Sequence, residues 1–289
     1  MEPMLALPVL PDKLYKYPNY VMEPKLDGIR CIAYKDMDGY VSLTSRGGKD
    51  LTAKVPHIRE SLSATMYYNT YLDGELGYWS GNYTIDFNKT TRVLGSGVDV
   101  ALEKQSEFED QIQYFVFDTP GLTDDACRRH EGDRRKNLEY WYLLHYRANY
   151  EPTVALVPRM ERFDMEWYDA YVEAGGEGVM LKNPDALYYP GVRRANTWYK
   201  LKKFDTIDAM IVDFKSGTGK YEGMLGSLHV VTDTGLEFYV AGMNDTWRKE
   251  FYDSMGKYYN KYVEVKHFGL TAGTPRFPQF LRMRPDLDS

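Results

Sequence analysis

Beyond Phe204 the sequence changes texture. It runs IDAMIVDFKSG, GSLHVVTD, LEFYVAG, DTWRKEFYDSMG and YVEVKHFG. That reads as three strands, a short helix and a fourth strand in about 65 residues, a pattern that suits a small closed barrel. A chain of 289 residues is too long for one small domain, since domains cluster at roughly 100–150 residues. Two domains are therefore expected, 1–203 and 204–289, with the junction near Lys203–Asp205.

The longer first region is also rich in strand character. IRCIAYKD and YVSLTS flank Met37-Asp38-Gly39 and read as a hairpin on an Asp-Gly turn. YLDGELGYW, QIQYFVFD, TVALVP and EGVMLK are further strand-like runs. Helices are expected from Pro56 to about Met66, from about Asp124 to Tyr150, and from Asp164 to Ala174, the last with an acidic N-cap and a Gly175-Gly176 stop. Asp86 to Gln111 reads as loop-rich.

Composition narrows the class. Hydrophobic residues make up 43% and charged residues 27%, as in globular proteins. No run approaches the roughly 18 apolar residues of a membrane span. Pro3, Pro8 and Pro11 break the N-terminal apolar stretch, which argues against a secretory signal. Cys31 and Cys127 are the two cysteines, and the five histidines show no metal spacing, so neither a disulfide framework nor a cysteine zinc site is expected. The cytoplasm is the expected compartment, that of the host if the chain is phage-encoded. Net charge is −6, yet nucleic-acid binding depends on where cations cluster rather than on their sum. Arg193, Arg194, Lys200, Lys202 and Lys203 crowd together, and Arg276, Arg282 and Arg284 lie near the C-terminus. Such clusters are also compatible with a solvated face.

Placed on these elements, the charged residues form a pattern. Lys25, Asp27 and Arg30 lie at or before the first hairpin strand, and Ser45-Arg46-Gly47 ends the second. Asp73 and Glu75 sit inside an apolar strand, where carboxylates are costly unless paired or metal-bound. Glu177 opens the strand GVMLK, and Lys200 and Lys202, two apart, share one strand face. Lysines on one side and acids on a neighbouring strand describe a polyanion site with a metal.

Lys25-Leu26-Asp27-Gly28-Ile29-Arg30 resembles the K-x-D-G-x-R motif of the covalent nucleotidyltransferases: ATP-dependent DNA ligases, RNA ligases and messenger-RNA capping enzymes. Ser45-Arg46-Gly47, Asp73-Gly74-Glu75-Leu76, Phe115-Val116-Phe117-Asp118, Glu177 to Lys182 and Lys200-Leu201-Lys202 are similar to the elements that follow it, in the family's order. The resemblance implies an α+β fold, a mixed antiparallel-sheet nucleotidyltransferase (ATP-grasp-like) domain followed by a small OB-fold β-barrel. It also makes Lys25 the nucleophile that attacks the α-phosphate of ATP. An ordinary lysine titrates at about 10.4, so burial or neighbouring cations must free its amine.

The resemblance further assigns Lys200 and Lys202 to the α-phosphate and Glu75 and Glu177 to the metal or ribose, with Mg2+, or Mn2+ in its place, as the ion. Phe117 would stack on adenine, Arg46 would clamp the 5′-phosphate of a nick, and Arg30 would meet ribose or a nucleic-acid phosphate. Asp27 belongs to the nucleotide site, Arg193 and Arg194 to the DNA contacts, and Glu23 either borders the adenine pocket or is structural. Two features point to a DNA ligase rather than an RNA ligase or guanylyltransferase. One is the glycine-rich Gly217-Thr218-Gly219-Lys220 with Gly226-Ser227-Leu228. The other is the tail Arg276-Phe277-Pro278 through Arg282, Arg284 and Asp286, similar to elements that orient pyrophosphate, with Leu287 where the family often has lysine. The implied enzyme is a minimal two-domain, monomeric ligase of bacteriophage or viral type, acting on nicked double-stranded DNA. Its barrel would swing about Lys203–Asp205 between steps. Asn88–Asp110 is either a DNA-contacting insertion or a surface loop.

Overall fold

The computed structural model describes residues 1–9, 11–108, 111–120, 130–146, 153–271 and 273–288. Cys127 and both ends of the helix expected over 124–150 lie outside the described residues. The chain divides into two compact units, Met1–Leu201 and Lys202–Ser289.

The first unit carries strands β1 (Leu7–Pro8), β2 (Val21–Pro24), β3 (Ile29–Lys35), β4 (Val41–Ser45), β5 (Thr70–Gly81), β6 (Thr84–Asp86), β7 (Gln113–Asp118), β8 (Val154–Leu156), β9 (Gly178–Lys182) and β10 (Trp198–Lys202), the last of which runs to the unit boundary. One sheet has the order β4-β3-β5-β7-β8, with β6 folded back on β5; the other has the order β1-β10-β9-β2. The β3–β4 hairpin forms as its Asp-Gly turn predicts: Gly39 has φ +89°, and the Asp36 carboxylate accepts from the backbone N–H groups of Asp38 and Tyr40 at 3.0 and 2.8 Å.

Four packings fix these sheets. On the outer side of the larger sheet, Ile58 and Leu62 from helix Pro56–Thr65, and Leu138 and Trp141 from helix Glu131–Tyr146, join Leu43, Leu76 and Val116 in the main core. The smaller sheet packs Val179, Leu181, Tyr199 and Leu201 on Tyr168, Tyr171 and Val172 of helix Met165–Glu173. That helix starts where expected, with the Asp164 carboxylate accepting from Trp167 N–H. Leu26, Phe115, Phe117 and Val157 form one further cluster, and Met4, Met180, Tyr188 and Trp198 another that Phe117 also touches.

The stretch Asp86 to Gln111, expected to be loop-rich, contains two helices, Phe87–Leu94 and Val98–Glu107. Asp86 caps the first by accepting from Lys89 N–H, and Val93, Leu94 and Ala101 are buried in the main core. The Lys54 ammonium, itself buried, binds the carbonyls of Leu94 and Ser96 at the helix end, where cations complement the helix dipole. A plain surface loop is thereby excluded for the described part of Asn88–Asp110; residues 109–110 lie outside the described residues.

The second unit holds β11 (Asp205–Ser216), β12 (Leu225–Val231), β13 (Glu237–Val240), β14 (Tyr262–His267), β15 (Leu270–Thr271), β16 (Thr274–Pro275) and β17 (Gln279–Met283). The main sheet has the antiparallel order β13-β12-β11-β14-β17. Among the described residues its edges meet through one parallel bridge, Ala241 with Gln279, rather than through the full ladder of a closed barrel. The reason is local: β13 has only four residues, and helix Asp245–Asp253 packs Trp247 and Phe251 against Phe280. The glycine-rich stretch forms the β11–β12 turn, where a Cβ at Gly217 would lie 2.3 Å from the Tyr221 carbonyl oxygen.

Candidate active site

Lys25 follows β2 directly, and its N–H donates to the Gly178 carbonyl at 2.8 Å. This bond holds the lysine beside the start of β9, and the Lys25 ammonium pairs with the Glu177 carboxylate. Motif glycines permit the approach. A Cβ on Gly28 would lie 2.4 Å from the Leu76 carbonyl oxygen, and one on Gly74 would lie 2.6 Å from both the Phe115 carbonyl oxygen and the Tyr114 ring. Only glycine fits either position.

The β3–β5 register sets Arg30 opposite Glu75 and Ile32 opposite Asp73. Arg30 reaches diagonally and grips Asp73 with two hydrogen bonds of 2.6 Å each, while Tyr188 donates to the same carboxylate at 2.7 Å. Asp73 is fully buried, so the cost noted for a carboxylate in this strand is met by ion pairing. Glu75 is different. Burial pushes it up to about 7, against the pull of Arg30 and Lys25, and Glu177 and Asp73 raise it further.

A cavity opens between these groups, lined by Glu23, Lys25, Glu75, Phe117, Met180 and Trp198 together with Pro24, Leu26, Arg30 and Lys182. Phe117 and Trp198 meet edge to face at 6.2 Å, and the Arg30 guanidinium lies 4.6 Å from the Phe117 ring centre. At its floor Glu23 is held by Lys182 at 2.6 Å and by Arg159 at 2.7 Å, with Arg135 at 3.4 Å. Arg159 also pairs with buried Glu131. Burial opposes ionisation of Glu23, but Lys182, Arg159 and Arg135 outweigh it and hold the carboxyl below its usual range. Nearby, Arg134 and Asp118 form a second buried fork, at 2.8 and 2.9 Å.

The remaining expected residues are distributed as follows. In β10, Tyr199 and Leu201 enter the core while Lys200 and Lys202 alternate with them and are half-buried; Trp198, on the same alternation as Lys200, lines the cavity. Arg46 is exposed in a groove shared with Gly28, Arg30, Ser45, Lys49 and Glu75. Asp27 is half-buried, near enough to Tyr171 to raise its phenol. Arg193 and Arg194 are exposed and line neither the cavity nor the groove; Arg194 lies 4.4 Å from the Tyr189 ring centre. In the second unit Arg282 pairs with Glu264 at 2.5 Å, and Arg284 forks between Asp208 at 2.7 Å and Asp286 at 2.8 Å. Sequence reasoning did not find Lys182, Arg159, Arg135, Glu131 or Tyr188 as site residues.

Among the described residues no three His, Cys, Asp or Glu groups converge as a metal cage. Glu75 and Glu177 beside Lys25 nevertheless fit Mg2+, which takes one or two carboxylates and completes its shell with water and substrate phosphates.

Residues 3–202 match the model of the ATP dependent DNA ligase domain, and residues 216–284 that of the DNA ligase OB-like domain. A probable DNA ligase of Anaeromyxobacter sp. (strain Fw109-5) is 30% identical over 237 residues, covering 80% of this chain and 43% of the relative. DNA ligase B of Mycobacterium tuberculosis (strain ATCC 25618 / H37Rv) is 29% identical over 221 residues, covering 73% of this chain and 40% of the relative. The chain thus spans less than half the length of these curated relatives. A solved Lig E DNA ligase superposes with a TM-score of 0.71 at 24% identity, covering 98% of this chain and 99% of that one. The Chlorella virus DNA ligase-adenylate superposes with a TM-score of 0.52 at 22% identity, covering 98% and 99%. These superpositions carry the fold, and the family match over 3–202 carries the lineage: the chain belongs to the ATP-dependent DNA ligases.

Proposed function

We propose that this protein seals nicks in double-stranded DNA as a monomer, using ATP and Mg2+. The observation that carries the reading is the Lys25–Glu177 pair set beside Glu75, at the edge of the cavity that Phe117, Met180 and Trp198 line. On this reading the amine would meet a nucleotide α-phosphate whose base lies against the aromatic rings.

In the first step the Lys25 Nζ lone pair attacks the α-phosphorus. The N–P bond forms, the bond to the bridging oxygen breaks, and pyrophosphate leaves. Glu177 holds the amine before attack and is positioned to take up the proton it sheds. Lys200 and Lys202 would neutralise the α-phosphate, and Arg282, Arg284 and Asp286 would orient pyrophosphate. A 5′-phosphate oxygen then attacks the same phosphorus and the lysine leaves as an amine; Arg46, in its open groove, would clamp that phosphate. Finally the 3′-hydroxyl attacks the 5′-phosphate and AMP departs. Mg2+ on Glu75 and Glu177 would supply charge neutralisation at the phosphates. Asp27 and Glu23 would border the nucleotide, and Arg193 and Arg194 would meet DNA backbone. Arg30, gripped by Asp73, would stiffen the cavity wall beside Phe117 and offer its remaining edge to ribose or phosphate. We assign the adenylylating role to 1–203 and the OB role to 204–289.

The test is sealing of an end-labelled nicked duplex with ATP or GTP, alongside the same nick in RNA. Sealing of the DNA nick with ATP is the expected result. Sealing restricted to RNA, or supported by GTP alone, would overturn the reading.

A further inference from the structure

Tyr171 is buried in the core under the smaller sheet, yet its hydroxyl reaches the reaction centre. It donates to the Tyr83 carbonyl at 2.8 Å and, more weakly, to the Lys25 carbonyl at 3.4 Å. Burial, with Glu177 and Asp27, pushes its phenol up, so the hydroxyl remains a donor at any working pH. The ring has a second contact. A Cβ at Gly176 would lie 2.4 Å from it, so the residue before Glu177 packs flat on the tyrosine. One side chain therefore touches the Lys25 backbone, the lead-in to Glu177 and the β5–β6 turn.

That turn is itself unusual. Gly81, Asn82 and Tyr83 have φ of +91°, +48° and +58° in succession. A bulky residue such as tyrosine avoids this region, and backbone held there persists only where its surroundings over-determine it. The Tyr171 hydroxyl on the Tyr83 carbonyl is such a restraint.

We propose that Tyr171 is a positioning residue for the nucleophile, fixing Lys25 relative to Glu177 and to the strained Gly81–Tyr83 turn. It touches no reacting atom and acts through the two backbones it joins. The proposal rests on the reading of Lys25 as the nucleophile. It concerns geometry at saturating ATP rather than ATP affinity, because Tyr171 itself does not line the cavity and meets Lys25 only at its backbone carbonyl.

The experiment compares wild type with Tyr171→Phe, which removes only the hydroxyl, and with Gly176→Ala, which drives a methyl into the ring. Single-turnover formation of labelled lysyl-AMP is measured against ATP concentration, with sealing of a pre-adenylylated nick and thermal stability on the same preparations. Tyr171→Phe should lower the maximal adenylylation rate by about tenfold, since small misplacements of a nucleophile have large effects. The KM for ATP and the sealing of the pre-adenylylated nick should stay within about twofold. Gly176→Ala should show the same split, and it decides the matter if Tyr171→Phe does not fold. An unchanged maximal rate, a raised KM, or an equal loss of both activities would overturn the proposal. Failure of the wild type to form lysyl-AMP would instead overturn the assignment of Lys25.

Discussion

The ion pairs of the first unit and those of the second use the same residue types in opposite settings. Near the cavity, Arg134–Asp118 is 1% exposed at both partners, and Glu23 at 2% is held by cations no more than 9% exposed. In the second unit each pair has one open partner: Arg282 is 64% exposed against Glu264 at 14%, and Asp286 is 60% exposed against Arg284 at 19%. Buried pairs cannot be opened without stranding a charge, which costs about 3–5 kcal/mol, so they fix a geometry. Pairs open to solvent at one partner are screened by salt and worth less than buried ones, so their arginines can exchange a carboxylate for a phosphate. The contrast matches the proposed division of labour, in which the first unit would hold a nucleotide base in one pose and the basic tail would engage and release.

The largest expected effect breaks that contrast at the tail. Removing residues 276–289 should abolish lysyl-AMP formation yet largely spare sealing of a nick that already carries AMP, since that last step involves no pyrophosphate. The assay is ligation of pre-adenylylated DNA without ATP, and equal loss of both activities would show the tail to be structural or DNA-binding. Next, Glu23→Ala should destabilise the protein by about 3–5 kcal/mol, because Lys182 and Arg159 lose their shared carboxylate inside the fold. Arg282→Ala, at a side chain 64% exposed, should barely move the unfolding midpoint. Denaturant unfolding of the two variants side by side checks this, and similar losses would erase the distinction.

The smallest effect is on pH dependence. Burial opposes ionisation of Asp118, but Arg134 overcomes it and holds the carboxyl below its ordinary 3.8. The folded chain therefore binds fewer protons at this group than the unfolded one, and the pair's contribution is complete above 3.8 and fades as pH falls through the lowered value. The stability gap between wild type and Asp118→Asn should be constant from about pH 5 to 7 and shrink under more acidic conditions. A gap that widens on acidification would contradict the pairing.

Much of this was legible in the sequence because the chemistry lies on contiguous motifs. Lys25, Glu75, Phe117 and Glu177 announce themselves by local pattern, and the carboxylates of Asp73 and Glu75 by their cost in an apolar strand. The pattern could not say which carboxylate a cation would take; Arg30 takes Asp73 because the β3–β5 register sets them on a diagonal. The cavity floor was not legible because Glu23 draws its cations from far along the chain, at Arg135, Arg159 and Lys182. Adjacent Arg134 and Arg135 on a helix were the available hint, since both turn out buried. The helices of 87–107 were missed for a simpler reason. They are short and marked by Asp86 and Gly97 at their starts, and their stability comes from the core and from Lys54 rather than from propensity.

The whole proposed reaction depends on Lys25 carrying AMP. The direct measurement is incubation of wild type and Lys25→Ala with α-labelled ATP or GTP and magnesium, followed by a denaturing gel. A covalent band is expected from ATP with the wild type, none from GTP, and none from folded Lys25→Ala with either nucleotide. A band of equal strength from Lys25→Ala would contradict the role of Lys25.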